Sequence, residues 1–165
     1  MSCPPSDFIG LTETHTKADP LPAFLPKGCR AVARLDRTRH GGGVVIAAQQ
    51  HLLVDVINLK AYTSLRLECA EMVGIKYGGR TYIVCYTQSS ASAMHLFDAM
   101  QSYETDHHED VIVWLGDFNA HNASYFTTMS KGNETGVRAQ EFGEMYGYSQ
   151  VVWFPTRKGN VGERV

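Results

Sequence analysis

The sequence predicts an α+β fold in which two β-sheets pack face to face and helices lie outside them. Short apolar runs rich in β-branched residues recur along the chain, which is typical of buried strands. Only two or three segments show the spacing of apolar residues that a helix needs. Strands that outnumber helices in this way bury their apolar faces against a second sheet, so a sandwich is expected.

Strands are expected where apolar runs are bounded by turn residues. The predicted strands are residues 8–12, 44–48, 52–56, 65–75, 81–86, 111–115 and 150–154. Two consecutive glycines within residues 77–80 predict a hairpin between the fourth and fifth of these strands. The proline-rich residues 17–27 are expected to form a surface loop.

Helical spacing predicts two well-defined helices. The first follows the fifth strand and is expected to be capped by Ser90 or Ser92, whose hydroxyls can accept from backbone N–H groups. The second is expected over residues 137–146 and stops at Gly147, because glycine readily takes the left-handed conformation that ends helices.

Length and composition indicate a single globular domain over residues 1–165. Hydrophobic residues make up 44% and charged residues 19% of the chain. The net charge of -2 gives no general attraction to nucleic acid, so such a substrate would need a local basic patch or a bound cation. No signal peptide, membrane span or Cys-x-x-Cys pair is evident in the sequence. An intracellular protein, nuclear or cytoplasmic and not secreted, with reduced thiols is therefore expected.

Polar side chains stand at the ends of three predicted strands, where binding groups concentrate because a rigid scaffold holds them. These side chains are Glu13 and His15, then Tyr86, then Asp117, Asn119 and His121. Carboxylates can bind a hard cation such as Mg²⁺, which polarises a phosphoryl oxygen. Asp117 could orient or deprotonate a water, while Asn119 and Tyr86 could donate hydrogen bonds to phosphate.

A purely structural role is open for each of these residues. Glu13 could be a solvated loop residue, and Tyr86 could pack at a strand end with a wet hydroxyl. Asp117 could cap a turn through its side chain. Glycines 41–43 could cradle a phosphate, but no helix follows them, so a plain turn is favoured.

Five short motifs occur in the order found in the endonuclease/exonuclease/phosphatase superfamily, which the chain resembles from about residue 7 to about residue 160. They are residues 11–15 (LTETH), 41–46 (GGGVVI), 83–86 (IVCY), 115–121 (LGDFNAH) and 154–157 (FPTR). The fourth motif is the most specific. Residues 136–152 and the last motif look most like the endonuclease domain of non-LTR retrotransposons.

The resemblance implies a four-layer α/β/β/α sandwich and a DNA phosphodiester substrate. It implies Glu13 as a ligand of Mg²⁺, with Mn²⁺ as an alternative, and Tyr86 as a contact of the scissile phosphate. Asp117 would position the attacking water, and Asn119 would bind phosphate or assist the metal. The resemblance also implies four substrate-binding residues near the substrate groove, which are His15, His121, Thr156 and Arg157.

Two features of the family are missing from this sequence. No residue before Glu13 matches the Asn or Asp ligand of the family's first strand, and the closing Ser-Asp-His motif is absent. An incomplete domain with weak or no cleavage, and self-association through exposed sheet edges, are therefore expected. Two other functions stay open: a non-catalytic remnant or binding module, and a phosphatase of the same superfamily.

Overall fold

The computed structural model describes residues 6–15, 25–36, 42–63, 70–121 and 132–152. Contacts within the chain divide it into two compact units, Met1–Asn119 and Ala120–Val165. Each unit is described by itself below. The expectation of one domain over residues 1–165 stays a prediction.

The described part of the first unit contains two sheets and two helices. In chain order the elements are β1 (Phe8–Thr12), β2 (Cys29–Leu35), β3 (Val44–Gln49), β4 (Asp55–Ile57), α1 (Lys60–Thr63), β5 (Ala70–Tyr77), β6 (Arg80–Thr87), α2 (Ser90–Asp106) and β7 (Ile112–Asp117). The front sheet has the order β1-β3-β2 and the back sheet the order β4-β5-β6-β7. All pairings are antiparallel except that of β6 with β7, which is parallel. The predicted α+β two-sheet sandwich is confirmed.

The core of the first unit lies between the two sheets. Val44 and Ile46 of the front sheet pack with Ile75 and Val84 of the back sheet, and all four are at most 1% exposed. Each such side chain stabilises the fold by roughly 1.5–3 kcal/mol relative to exposure. Because strand side chains alternate, the other face of β5 and β6 is free to pack against α2, which contacts both strands.

One strand and one helix cap differ from the sequence prediction. The strand β2 was not predicted, and its pairing with β3 contains a register shift between Ala31 and Ala33. The cap of α2 is Ser89, not Ser90 or Ser92. Ser92 serves as the third helical residue, and its hydroxyl oxygen accepts a hydrogen bond from the Ser89 N–H, which completes a capping box.

Several predicted boundaries also change. The strand expected at residues 52–56 is the shorter β4, and the strand expected at 65–75 begins within the described residues at Ala70 and runs to Tyr77. Residues 150–152 are not in a strand, and the rest of that predicted strand lies outside the described residues, as does most of the proline-rich loop. The remaining predicted strands and the hairpin at residues 77–80 are confirmed.

The second unit contains α3 (Glu134–Tyr146) within its described residues. The helix starts three residues earlier than predicted because the Asn133 side chain accepts from the Gly136 N–H and caps it. Gly147 ends it in the left-handed conformation with φ 71°, as expected. Phe142 packs its ring against Tyr148, with ring centroids 5.7 Å apart.

No helix within the described ranges is long and apolar enough to cross a membrane. Among the described cysteines, Cys29 and Cys85 are free thiols.

The strand β4 lies at one edge of the described back sheet and leaves Val56 58% exposed. Self-association through such an edge stays a prediction.

Gly116 is the position at which the packing of β6 against β7 is least tolerant. Its φ is +137°, and an added Cβ would lie 1.8 Å from the carbonyl oxygen of Cys85. We expect Gly116→Ala to lower the free energy of unfolding by about 3 kcal/mol or more in urea titrations. The control is Gly79→Ala, at φ +73°, where the added Cβ meets no described heavy atom within 4 Å. It should cost about 1 kcal/mol, and equal losses in the two variants would contradict the close approach.

Candidate functional site

A row of three polar side chains crosses the back sheet at one end. In the strand register Glu71 of β5 pairs with Tyr86 of β6, and Tyr86 pairs with Asp117 of β7. Register partners on neighbouring strands project from the same face of a sheet. That face is the one toward the front sheet, because Tyr86 belongs to the same buried cluster as Val44 and Ile46.

The front sheet contributes Glu13 to this row. The Tyr86 hydroxyl donates a hydrogen bond to Glu13 Oε1 at 2.7 Å. The Tyr86 side chain is only 4% exposed, whereas Glu13 is exposed, so the phenol crosses from the core to the surface. This bond joins the end of β1 to the end of β6.

Two glycines hold the turn that carries Glu13. The Thr14 N–H donates to the Gly43 carbonyl at 3.2 Å, and the His15 N–H donates to the Gly42 carbonyl at 2.9 Å. Only glycine fits at Gly43, since its φ is +96° and an added Cβ would lie 2.5 Å from Thr14 Oγ1. The carbonyls of Gly42 and Gly43 and the N–H of Gly43 are thus bonded within the protein, while Gly41 lies outside the described residues.

Asp117 and Asn119 form a second turn at the same end of the sandwich. The Asn119 N–H donates to Asp117 Oδ1 at 3.0 Å, and the Asn119 side-chain amide donates to the Thr87 carbonyl. Asp117 therefore caps this turn, which is the structural role that the sequence left open. Through the bond to Thr87 the turn is tied to the end of β6, next to Tyr86.

Backbone strain is concentrated in these two turns. Among the described residues, the non-glycine residues at positive φ are Glu13 (53°), His15 (50°) and Asn119 (46°). The left-handed conformation costs an L-residue about 1–2 kcal/mol, so it persists only where the surroundings impose it. All three residues were singled out from the sequence. Strain of this kind tends to cluster at functional sites.

The electrostatics keep the Tyr86 phenol protonated. Burial raises the pKa of Tyr86 to about 12, helped by the hydrogen bond to Glu13 and by the negative charges of Glu13, Glu71 and Asp117. Three carboxylates thus surround one neutral hydroxyl. At neutral pH this hydroxyl can serve only as an uncharged donor or acceptor.

The donor set suits a hard divalent cation. Within the described ranges, no three His, Cys, Asp or Glu side chains are grouped so that together they could hold one metal ion. Mg²⁺ does not need such a cage, because it is usually bound by one or two carboxylates and keeps several waters. Glu13, exposed beside Asp117 and Tyr86, offers oxygen ligands of the required kind.

The structure brings most of the predicted site residues together. Glu13, Tyr86, Asp117 and Asn119 lie at one end of the first unit, with His15 in the Glu13 turn. His121 belongs to the second unit, is exposed, and donates its N–H to Asn133 Oδ1 at 2.9 Å. Thr156 and Arg157 lie outside the described residues. The roles assigned to these residues stay predictions.

Sequence reasoning missed Glu71 as a member of the site. The sequence carried a signal for it, because Glu71 lies on the same face of the strand as Val73 and Ile75, which are buried. A carboxylate in the buried parity of a strand needs partners that compensate its desolvation. Here one partner is the Gly43 N–H, which donates to Glu71 Oε2 at 2.6 Å.

In comparisons with protein-family models and with curated proteins, nothing matches this chain. The candidate site therefore stands on its geometry and on the motifs within the sequence.

The pKa of Tyr86 provides a test of the carboxylate cluster. In metal-free buffer, phenolate absorbance of the wild type minus that of Tyr86→Phe should titrate near pH 12. In a Glu13→Gln background the same difference should move toward pH 10, the ordinary tyrosine value, because the negative charge of Glu13 is lost.

The same shift predicts how stability depends on pH. Because the folded pKa lies above the unfolded one, the contribution of Tyr86 is fully present below pH 10 and is lost as the pH rises toward 12. Wild type should therefore lose stability relative to Tyr86→Phe across that window. A difference titration near pH 10 in the wild type would show that the carboxylates do not surround the phenol.

Proposed function

We propose that the chain is a metal-dependent phosphodiester hydrolase that acts on DNA, of the kind found in non-LTR retrotransposon endonucleases, with Mg²⁺ as the cofactor and with weak cleavage activity. The observation that carries the proposal is the arrangement of Glu13, Tyr86 and Asp117 at one end of the sandwich. These residues come from three of the sequence motifs that resemble the endonuclease/exonuclease/phosphatase superfamily.

Charge supports the need for a cation. A phosphodiester is an anion, and the carboxylates of Glu13, Glu71 and Asp117 around the Tyr86 hydroxyl would repel it. Mg²⁺, when bound, would offset these charges and polarise a phosphoryl oxygen. A substrate with the same negative charge is therefore expected to bind only where the cation is available.

Each residue has a role that fits its position. Glu13 would hold the metal, since its carboxylate is exposed. Asp117 would orient the attacking water and take its proton, because a carboxylate can accept one within hydrogen-bond reach. The Tyr86 hydroxyl stays protonated and would donate to a phosphate oxygen in place of Glu13. Asn119, in the Asp117 turn, would bind the phosphate or assist the metal.

The direct test is the nicking of supercoiled plasmid by the purified chain with Mg²⁺, with Mn²⁺, and with a chelator. We expect weak nicking that needs the metal and that falls to the level seen with the chelator in Asp117→Asn, because the general base is lost. Glu13→Gln should raise the Mg²⁺ concentration that is needed for half-maximal nicking. The matched control is Asp55→Asn, an exposed aspartate of β4 at the opposite end of the back sheet.

The outcomes separate this proposal from its rivals. Nicking that is equal in wild type and Asp117→Asn, or that persists in chelator, would reject it. Retention of DNA in gel-shift assays without any nicking would identify a binding module. Release of inorganic phosphate from sugar or lipid monophosphates, with intact plasmid, would identify a phosphatase.

A further inference from the structure

Glu71 is a buried carboxylate that enters the mechanism above only through its charge. Its side chain is 3% exposed and lies on β5, one strand away from Tyr86 in register. A carboxylate in such a place is costly unless hydrogen bonds compensate its desolvation. Its Oε2 accepts the Gly43 N–H at 2.6 Å, a short bond of the charge-assisted kind.

A chain of contacts runs from this carboxylate to Glu13. Glu71 holds the N–H of Gly43. The carbonyls of Gly43 and Gly42 in turn accept the N–H groups of Thr14 and His15, the two residues that follow Glu13. The Glu13 backbone has a φ of 53°, so the turn needs support from outside itself. Glu71 lies where that support begins.

We propose that Glu71 is a positioning residue that sets the Glu13 carboxylate at the Tyr86 hydroxyl by anchoring Gly43. The role of the positioned Glu13 in metal binding rests on the proposed function, but the anchoring itself does not. Glu71 thus links the back sheet to the Glu13 turn of the front sheet from inside the core. Tyr86 links the two from the edge.

Two conservative substitutions distinguish anchoring from a direct action of the Glu71 charge. Glu71→Gln keeps the length of the side chain and an oxygen that can accept from Gly43, but it removes the charge. Glu71→Asp keeps the charge but withdraws the oxygens by one methylene. Anchoring requires a side chain long enough to contact the Gly43 N–H, so Glu71→Gln should be tolerated and Glu71→Asp should not. A metal ligand or an electrostatic group requires charge, so the order would be reversed.

The first measurement is amide hydrogen exchange of the folded, metal-free chain. Glu71→Asp should speed exchange at the amides of Gly43, Thr14 and His15 by roughly tenfold or more, because the bond that orders them is lost. Glu71→Gln should stay within about threefold of wild type at these amides. The matched control is Glu104, another buried glutamate, which accepts from the Trp114 indole at 2.7 Å. Glu104→Asp and Glu104→Gln should leave the three amides unchanged.

The second measurement is the Mg²⁺ dependence of plasmid nicking. Glu71→Asp should raise the Mg²⁺ concentration for half-maximal nicking by roughly tenfold while the rate at saturating Mg²⁺ changes less, and Glu71→Gln should rescue the defect. In a Glu13→Gln background neither substitution should add a further effect, since they act through Glu13.

The two measurements fail separately. Faster exchange in Glu71→Asp but not in Glu71→Gln supports the anchoring role of Glu71. This holds even when the chain nicks no plasmid, because that result rejects only the proposed function. Exchange that is equally fast in both variants, unchanged in both, or faster in Gln than in Asp would overturn the anchor, whatever the nicking assay shows.

Discussion

The hydrogen bond from the Tyr86 hydroxyl to the Glu13 carboxylate joins the two sheets at the end where the candidate site lies. Its geometry depends on the packing of both sheets. Tyr86 belongs to the same buried cluster as Val44, Ile46 and Val84, and its hydroxyl reaches the exposed Glu13 carboxylate. Without the front sheet stacked in this position, Glu13 would not meet the polar row of the back sheet.

The candidate site brings together the negative charges of three carboxylates, which lowers the stability of the fold. Carboxylates brought close together destabilise a fold unless hydrogen bonds or a cation compensate them. Here Glu71 accepts from Gly43, Glu13 accepts from Tyr86, and Asp117 accepts from Asn119. Each bond also fixes a segment of backbone. The interactions that make the cluster tolerable are therefore the same ones that position it, which is a common relation at functional sites.

At the opposite end of the back sheet the carboxylate of Asp110 is compensated in a different way. Asp110 accepts from Lys76 at 2.8 Å and from the Thr81 hydroxyl at 3.2 Å. The hydrogen bond from Lys76, opposed by a smaller effect of burial, lowers the pKa of Asp110. This carboxylate is neutralised by the partly exposed ammonium of Lys76 on β5, an ion pair of a structural kind. The two ends of the sheet thus differ in how their carboxylates are compensated. Asp110 is paired with a cation, whereas the carboxylates of the candidate site accept hydrogen bonds from neutral donors.

Local patterns in the sequence determined the strands, the two main helices and the polar groups that follow the strands, because apolar periodicity and turn residues act over a few neighbours. They failed at β2, at residues 150–152, which are not in a strand, and at the α2 cap, which three nearby serines could each have supplied. The placement of Glu13, Tyr86 and Asp117 could be expected only through the resemblance.

The anchoring contact of Glu71 could not be expected at all. It joins residues that are 28 positions apart, and its existence depends on how two sheets stack and in which register β5 pairs with β6. Those are long-range properties of the whole core, and no short segment of sequence contains them.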